Sequence, residues 1–227
     1  MARTVNQETH SIRRDEFCEA ALHLIQAKGY EQMSVQDILD ELDASRGAFY
    51  HYFDSKIALL DAVVEHLVVA ATAALAPIVA DPSLPAPRKL ERLFSGIAAW
   101  KAERKELMLA LLRVWYSDDN AIVRDKLRRS TVVRIGPLLA EIIRQGTAEG
   151  LFSAGSPQVA SRVVLGLLQS SQDLACELFF ARQADLIPFE LVESAFSAYT
   201  EALERILGVA AGSLTLIDEP SLHLWFG

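Results

Sequence analysis

The chain has 227 residues, 51% of them hydrophobic, with 11 Gly, 8 Pro and a formal net charge of −8. That length suits one or two domains, and so few Gly and Pro suit a packed helical core. The acidity argues against a general DNA-packaging role, because sequence-independent binding depends on neutralising many phosphates.

In chain order, residues 1 to 10 are expected to be a flexible arm carrying Arg3. A first helix follows from Ser11 to Lys28, with Phe17, Ala20, Ala21, Leu24 and Ile25 on its inner face. Gly29 is suited to end it and Tyr30 to pack back on it. Ser34 is an N-cap for a second helix, with Asp37 placing negative charge in the first turn. Val35, Ile38, Leu39 and Leu42 give that helix one buried stripe. Asp43-Ala44 makes a turn, and Ser45 caps a third helix from Arg46 to about Phe53.

On a helical wheel of about 100° per residue, Phe49 and Phe53 fall together with Tyr52 beside them, so they face inward. Gly47 and His51 point the other way, flanked by Arg46, Ala48 and Tyr50. Asp54 or Ser55 caps the next helix. Lys56 stands in its first turn, where a phosphate would meet the ammonium and free backbone N–H groups. Helix, tight turn and second helix make a helix-turn-helix layout, the unit that lays a recognition helix in the DNA major groove. The candidate DNA contacts are Ser34, Ser45, Arg46, Gly47, Ala48, Tyr50, His51, Tyr52 and Lys56. The local charge does not help: residues 1 to 56 hold ten acidic side chains against six basic ones. DNA affinity must therefore come from a local patch with the acids turned away.

A long helix is expected from Lys56 to about Val79. Its apolar run Leu67 to Ala80 is fourteen residues, short of the ~20 of a membrane span. The segment from Asp81 to Pro87 holds three prolines and breaks the chain. Further helices are expected at 87–102, 104–116, 119–149, 156–184 and 188–208, with a kink or break near Arg134 to Gly136 imposed by Pro137. No strand pattern competes, so the fold class is all-α. The tail from Gly212 to Gly227 is too apolar for a solvated terminus, and is expected to fold back on its own domain or to pack across a dimer. The N-terminus lacks the apolar core of a signal peptide, so a cytoplasmic protein with no membrane partner is expected.

Nothing in the pattern points to catalysis. The five histidines stand at no metal-ligand spacing, and there is no Gly-rich phosphate loop or nucleophile elbow. Asp118-Asp119 reads as a helix cap. Cys18 and Cys176 lie in apolar-periodic segments and read as small core residues. No enzyme activity, cofactor or metal is expected. Trp100, Trp115 and Tyr116 are large aromatics in the central helices, and Gln169, Ser170, Ser171, Gln172 and Asp173 interrupt an apolar helix. An apolar cavity with a few polar groups is how a small-molecule site is built. The same residues could instead be core and cross-dimer hydrogen bonds.

The constellation from residue 12 to 60 resembles the N-terminal domain of TetR-type transcriptional regulators. The matching residues are Phe17, Ala20, Ala21 and Leu24, then Gly29-Tyr30, Ser34-Val35 and Ile38. Ser45 to Tyr50, Tyr52-Phe53 and Ser55-Lys56 complete the match, which covers about a fifth of the chain. Two departures stand out. Asp43-Ala44 replaces the family's Gly-Val turn, and Ile57 follows the Lys where an acidic residue is common. The resemblance implies a DNA-binding domain at 1–55 and a helical effector-binding and dimerisation domain at 56–227. It also implies a homodimer on a palindromic operator, the last two long helices pairing through Leu168, Phe179, Val192, Phe196 and Leu203. Repression relieved by a small, largely apolar effector is the expected function. The alternatives are a regulator controlled by a protein partner, and an all-α ligand carrier that does not bind DNA.

Overall fold

The computed structural model describes residues 2–115 and 121–227, and every regular element among them is an α-helix. These are α1 (Ala2–Lys28), α2 (Val35–Glu41), α3 (Arg46–Tyr52), α4 (Lys56–Ala80), α5 (Ala86–Ala102), α6 (Lys105–Trp115), α7 (Ala121–Ala148), α8 (Pro157–Gln183), α9 (Phe189–Leu207) and α10 (Glu219–Phe226). The fold class is all-α, as the periodicity predicts.

Helix ends fall where local chemistry puts them. Gly29 follows α1 at φ +81 and its N–H donates to the Ile25 carbonyl at 2.9 Å, a left-handed cap that costs glycine nothing. Two boundaries differ from expectation. α1 begins at Ala2, so helical backbone stands where a flexible arm was expected. Residues 2 to 10 contain no Gly or Pro, and nothing local stops the helix from extending backwards. α7 runs through Pro137 without a break. Proline removes one ladder N–H and crowds the preceding turn, but Ile135, Leu139, Ile142 and Ile143 around it are all buried, and their packing outweighs that cost.

Packing divides the chain into two compact units, Met1–Ala70 with Arg104–Ser130, and Ala71–Glu103 with Thr131–Gly227. The first has a core built from Phe17, Ala21 and Ile25 of α1, Ile38 and Leu39 of α2, Phe49 of α3, Leu59 and Val63 of α4, and Leu107 and Leu111 of α6. The second is built on Leu75 and Val79 of α4, Leu90 and Leu93 of α5, Leu139, Ile142 and Ile143 of α7, Val164 and Leu165 of α8, and Leu203 and Leu207 of α9. Each fully buried Leu, Ile or Phe contributes about 1.5–3 kcal/mol. The whole of α4 is long and apolar enough, by length and composition, to cross a membrane, which the shorter run Leu67 to Ala80 did not suggest. Its buried side chains go into the two cores.

The apolar tail folds back on its own chain. Glu204 of α9, only 2% exposed, accepts the N–H groups of Gly212 at 3.0 Å and Leu214 at 2.9 Å. That carboxylate pins the tail so that Leu214 and Leu216 enter the second core. Asp218 then caps α10 by accepting the Ser221 N–H at 2.9 Å. Leu222 and Phe226 pack with Leu178 and Val192 in a separate cluster. Arg182 donates to the carbonyls of Phe226 at 3.0 Å and Ile187 at 2.9 Å, and His223 stacks on Phe189 with ring centroids 4.2 Å apart.

Candidate nucleic-acid interface

The helix-turn-helix is assembled from local bonds. Ser34 accepts the Asp37 N–H at 3.1 Å, and the Asp37 carboxylate accepts the Ser34 N–H at 2.7 Å, a reciprocal cap that satisfies two orphan donors. Lys28 reaches the same carboxylate at 2.7 Å. That contact, with the Ser34 bonds, holds the Asp37 carboxyl well below the usual range. The turn places Asp43 at φ +47, which Asp tolerates better than most residues, and the Ala44 N–H closes onto the Leu39 carbonyl at 2.9 Å. Ser45 then caps α3 by accepting the Ala48 N–H at 3.2 Å.

α3 has two faces, as the wheel predicts. Phe49 is fully buried and Phe53 nearly so. Phe17 meets Phe49 edge-on at 5.8 Å and Tyr52 at 5.7 Å, so one aromatic cluster ties α1 to α3. Arg46, Gly47, Tyr50 and His51 are exposed, Tyr50 at 56%. Ala48 and Tyr52 are half-buried. A Cβ at Gly47 would meet nothing nearer than Ser45 Oγ at 3.8 Å, so this point of the face is open to close approach.

Three residues carry features that the sequence did not show. Lys56 does not extend into solvent. Its Nζ lies 4.1 Å from the Tyr30 ring centroid and donates to the Glu31 carbonyl at 3.5 Å. Burial there pulls the ammonium below its ordinary value, while Glu31 and Asp37 pull it up. Of the two candidate caps for α4, Ser55 makes the bond, accepting the Ala58 N–H at 3.1 Å. The third is His10 of α1, whose ring lies 4.6 Å from Tyr52 and 5.7 Å from His51. No local spacing could have revealed it, since the partners are some forty residues apart in the sequence.

The expected dimer residues do not share one exposed face. Val192 is 0% and Leu203 1% exposed, each already spent on its own protomer's packing, so neither is available to a partner. Leu168, Phe179 and Phe196 are half-buried, and Phe196 lies under α10 with its ring 5.6 Å from Phe226. Apolar stripes on a helix include core positions, and the sequence alone does not separate the two. The exposed apolar side chains of α8 are Val159, Val163 and Phe180, with Gly166 and Ser170 exposed between them.

The expected ligand residues divide likewise. Trp100, Gln169 and Asp173 are half-buried, whereas Gln172 is exposed. Trp115 closes α6, and Tyr116 lies outside the described residues. Ser171 donates to the Leu168 carbonyl at 2.8 Å, and the Ser170 and Tyr199 hydroxyls meet at 3.0 Å between α8 and α9. Part of the polar cluster thus serves local helix contacts. Among the described residues no group of three or more His, Cys, Asp or Glu is arranged to hold a metal ion.

A capped helix pair around a tight turn, with an aromatic inner face and an exposed Arg-Gly-Tyr-His outer face, forms a helix-turn-helix. Residues 17–63 match the family described as bacterial regulatory proteins, tetR family. The chain is 37% identical over 58 residues to the uncharacterised HTH-type transcriptional regulator YvdT of Bacillus subtilis. That stretch covers 26% of this chain and 30% of YvdT, so the match spans about a third of the relative. Over longer stretches the likeness is one of fold. A TetR transcription regulator from Haloarcula marismortui superposes with a TM-score of 0.60 at 23% identity, covering 87% of this chain and 99% of that one. RolR, solved in complex with the ligand resorcinol, gives 0.56 at 18% identity, covering 96% and 95%.

Proposed function

We propose that this protein is a homodimeric transcriptional repressor that binds a palindromic operator through α3 and leaves it when a small, largely apolar effector binds. The observation that carries this reading is the outer face of α3. Arg46, Gly47, Tyr50 and His51 are exposed on a helix whose opposite side is locked into the core by Phe49. In this reading Arg46 reads a base edge, and Gly47 permits the backbone to approach the duplex. Residues 1–55 form the DNA-reading part, and residues 56–227 dimerise and bind the effector, in the cytoplasm where the operator lies. The exposed α8 residues Val159, Val163 and Phe180 support a second copy as partner. The complexes of RolR with resorcinol and of FadR from Bacillus subtilis with stearoyl-CoA support a ligand site in a protein of this fold. Thermodynamically the effector need only bind the released state better than the DNA-bound state.

The test begins with selection of a palindrome from a random duplex pool, followed by affinities for it and for random duplex across a salt series. Arg46→Ala is expected to relax sequence preference by about 1–3 kcal/mol, the range of a bidentate contact to guanine. Lys56→Ala is expected to weaken both duplexes alike and to lower the salt slope by about 0.9, one phosphate contact. This requires Lys56 to leave the Tyr30 ring on binding. Equal wild-type affinity for palindrome and random DNA would falsify the regulator reading. A monomer in sedimentation at micromolar concentration removes the palindrome argument. A broad ligand screen in which no small molecule changes operator affinity favours control by a protein partner.

A further inference from the structure

We propose that His10 is a further residue of the DNA-reading surface, and that His10 and His51 together make DNA binding take up protons. This rests on the DNA-reading assignment of α3 above. α1 delivers an exposed imidazole to the flank of α3, where it packs against the half-buried Tyr52 at 4.6 Å and faces the exposed His51 edge-on at 5.7 Å. His51 in turn lies 4.9 Å from Tyr52. Two imidazoles therefore share one solvent-facing cluster on the surface that meets the duplex.

Among the described residues, the charged groups on the elements that meet here are mostly engaged, Glu19 of α1 with His66 at 3.1 Å among them. On α1, Arg13 pairs with Glu16 at 2.5 Å, and the Arg14 guanidinium sits 5.3 Å from the Phe53 ring. Asp15 lies 3.6 Å from His66. On α3 the remaining charge is Arg46, and the acid in the turn that follows is Asp54. Histidine is the side chain type that gains charge in the neutral-to-mildly-acid range. Two rings at this separation repel each other when both are charged. Phosphates beside them reverse the balance by supplying opposite charge and acceptors for ring N–H groups. Complex formation then favours the protonated rings, and by linkage lower pH favours the complex. A protonated ring near a phosphate acts as one more cation displacing counterions, without reading sequence.

The experiment measures affinity for random-sequence duplex and for a selected palindrome between about pH 5.5 and 8 at fixed ionic strength. It uses wild type, His10→Gln, His51→Gln and the double variant. His23→Gln serves as control, since that ring pairs with Glu41 at 2.9 Å away from this cluster. Far-UV circular dichroism and thermal unfolding confirm that each variant is folded. Wild-type affinity for both duplexes is expected to rise roughly three- to tenfold per pH unit lowered, that is, half to one proton taken up on binding. His10→Gln should flatten that dependence and lower the salt slope at the acid end by about 0.9. The double variant should abolish the pH dependence, and His23→Gln should keep it. A wild type that prefers the palindrome yet binds independently of pH overturns the proposal and leaves the regulator reading intact. So does a His10→Gln variant with the wild-type pH slope, or a His23→Gln variant that flattens it. Absence of binding to either duplex at every pH overturns the regulator reading and the proposal together.

Discussion

Replacing Phe49 with alanine tests whether α3 owes its position to the aromatic cluster beneath it. Phe49 is fully buried, and its ring meets Phe17 at 5.8 Å, Phe53 at 5.7 Å and Tyr50 at 5.3 Å. Truncating a buried Phe costs about 3–5 kcal/mol through lost transfer energy and the cavity left behind. The lost ring pairs, about 0.5–1.5 kcal/mol each, push the figure toward the upper end. α3 is a helix of 7 residues, too short to hold itself together without tertiary packing, so the loss falls on α3. For a chain of this size each kcal/mol moves Tm by about 2–4 °C. The thermal transition of the chain should therefore fall by roughly 10–20 °C, followed by circular dichroism and denaturant titration. Phe49→Leu keeps most of the apolar volume and should cost roughly 1.5 kcal/mol or less. Because Phe49 never reaches solvent, operator affinity should track the folded fraction and recover on cooling. A Phe49→Ala variant melting within about 3 °C of wild type would refute the reasoning. So would a fully folded variant that fails to bind DNA at every temperature, since Phe49 would then be touching the duplex.

Three further outcomes follow from the geometry. Glu204→Ala leaves the N–H groups of Gly212 and Leu214 without their acceptor, and should cost roughly 3–5 kcal/mol for two bonds to a buried carboxylate, with limited proteolysis showing the tail released first. Gly208→Ala places a Cβ 2.7 Å from Ser153 Cβ at φ +68, so it should destabilise by roughly 2–4 kcal/mol, the left-handed penalty plus the clash, as measured by denaturant midpoint. The Asp37 carboxyl is held well below its ordinary range, first by Lys28 and then by Ser34. A depressed carboxyl stabilises the fold above its unfolded value and loses that contribution as pH falls through the folded one. The stability advantage of wild type over Asp37→Asn should thus be constant near neutrality and shrink below about pH 4, and an advantage that persists unchanged in strong acid would contradict the assignment.

The α2–turn–α3 unit was legible because its determinants are neighbours in sequence. Ser34 and Asp37, Ser45 and Ala48, and the strained Asp43 are separated by three residues or fewer from what they bind, and the wheel sorts Phe49 from Gly47 without knowledge of the rest. Nine of the ten helices among the described residues and most of their boundaries were legible for the same reason, since the 3.6-residue period and the Gly and Pro stops are local; α10 in the apolar tail was not expected. The extension of α1 to Ala2 and the passage of α7 through Pro137 were not, because there weak local preference yields to whatever the helix packs against.

What the sequence by itself determined, then, is that this chain is all-α and opens with a helix-turn-helix whose third helix turns Arg46, Gly47, Tyr50 and His51 outward. Only the tertiary structure decided which apolar stripes are spent within the protomer. Val192 and Leu203 have the same periodicity as an interface position, yet they are buried in their own protomer. It alone showed that Lys56 lies on Tyr30, that Glu204 pins the tail back, and that His10 reaches α3. The physical reason is common to all four. Periodicity and capping act over three or four residues, whereas the partner of a side chain across a core is chosen by packing between segments that the sequence does not order.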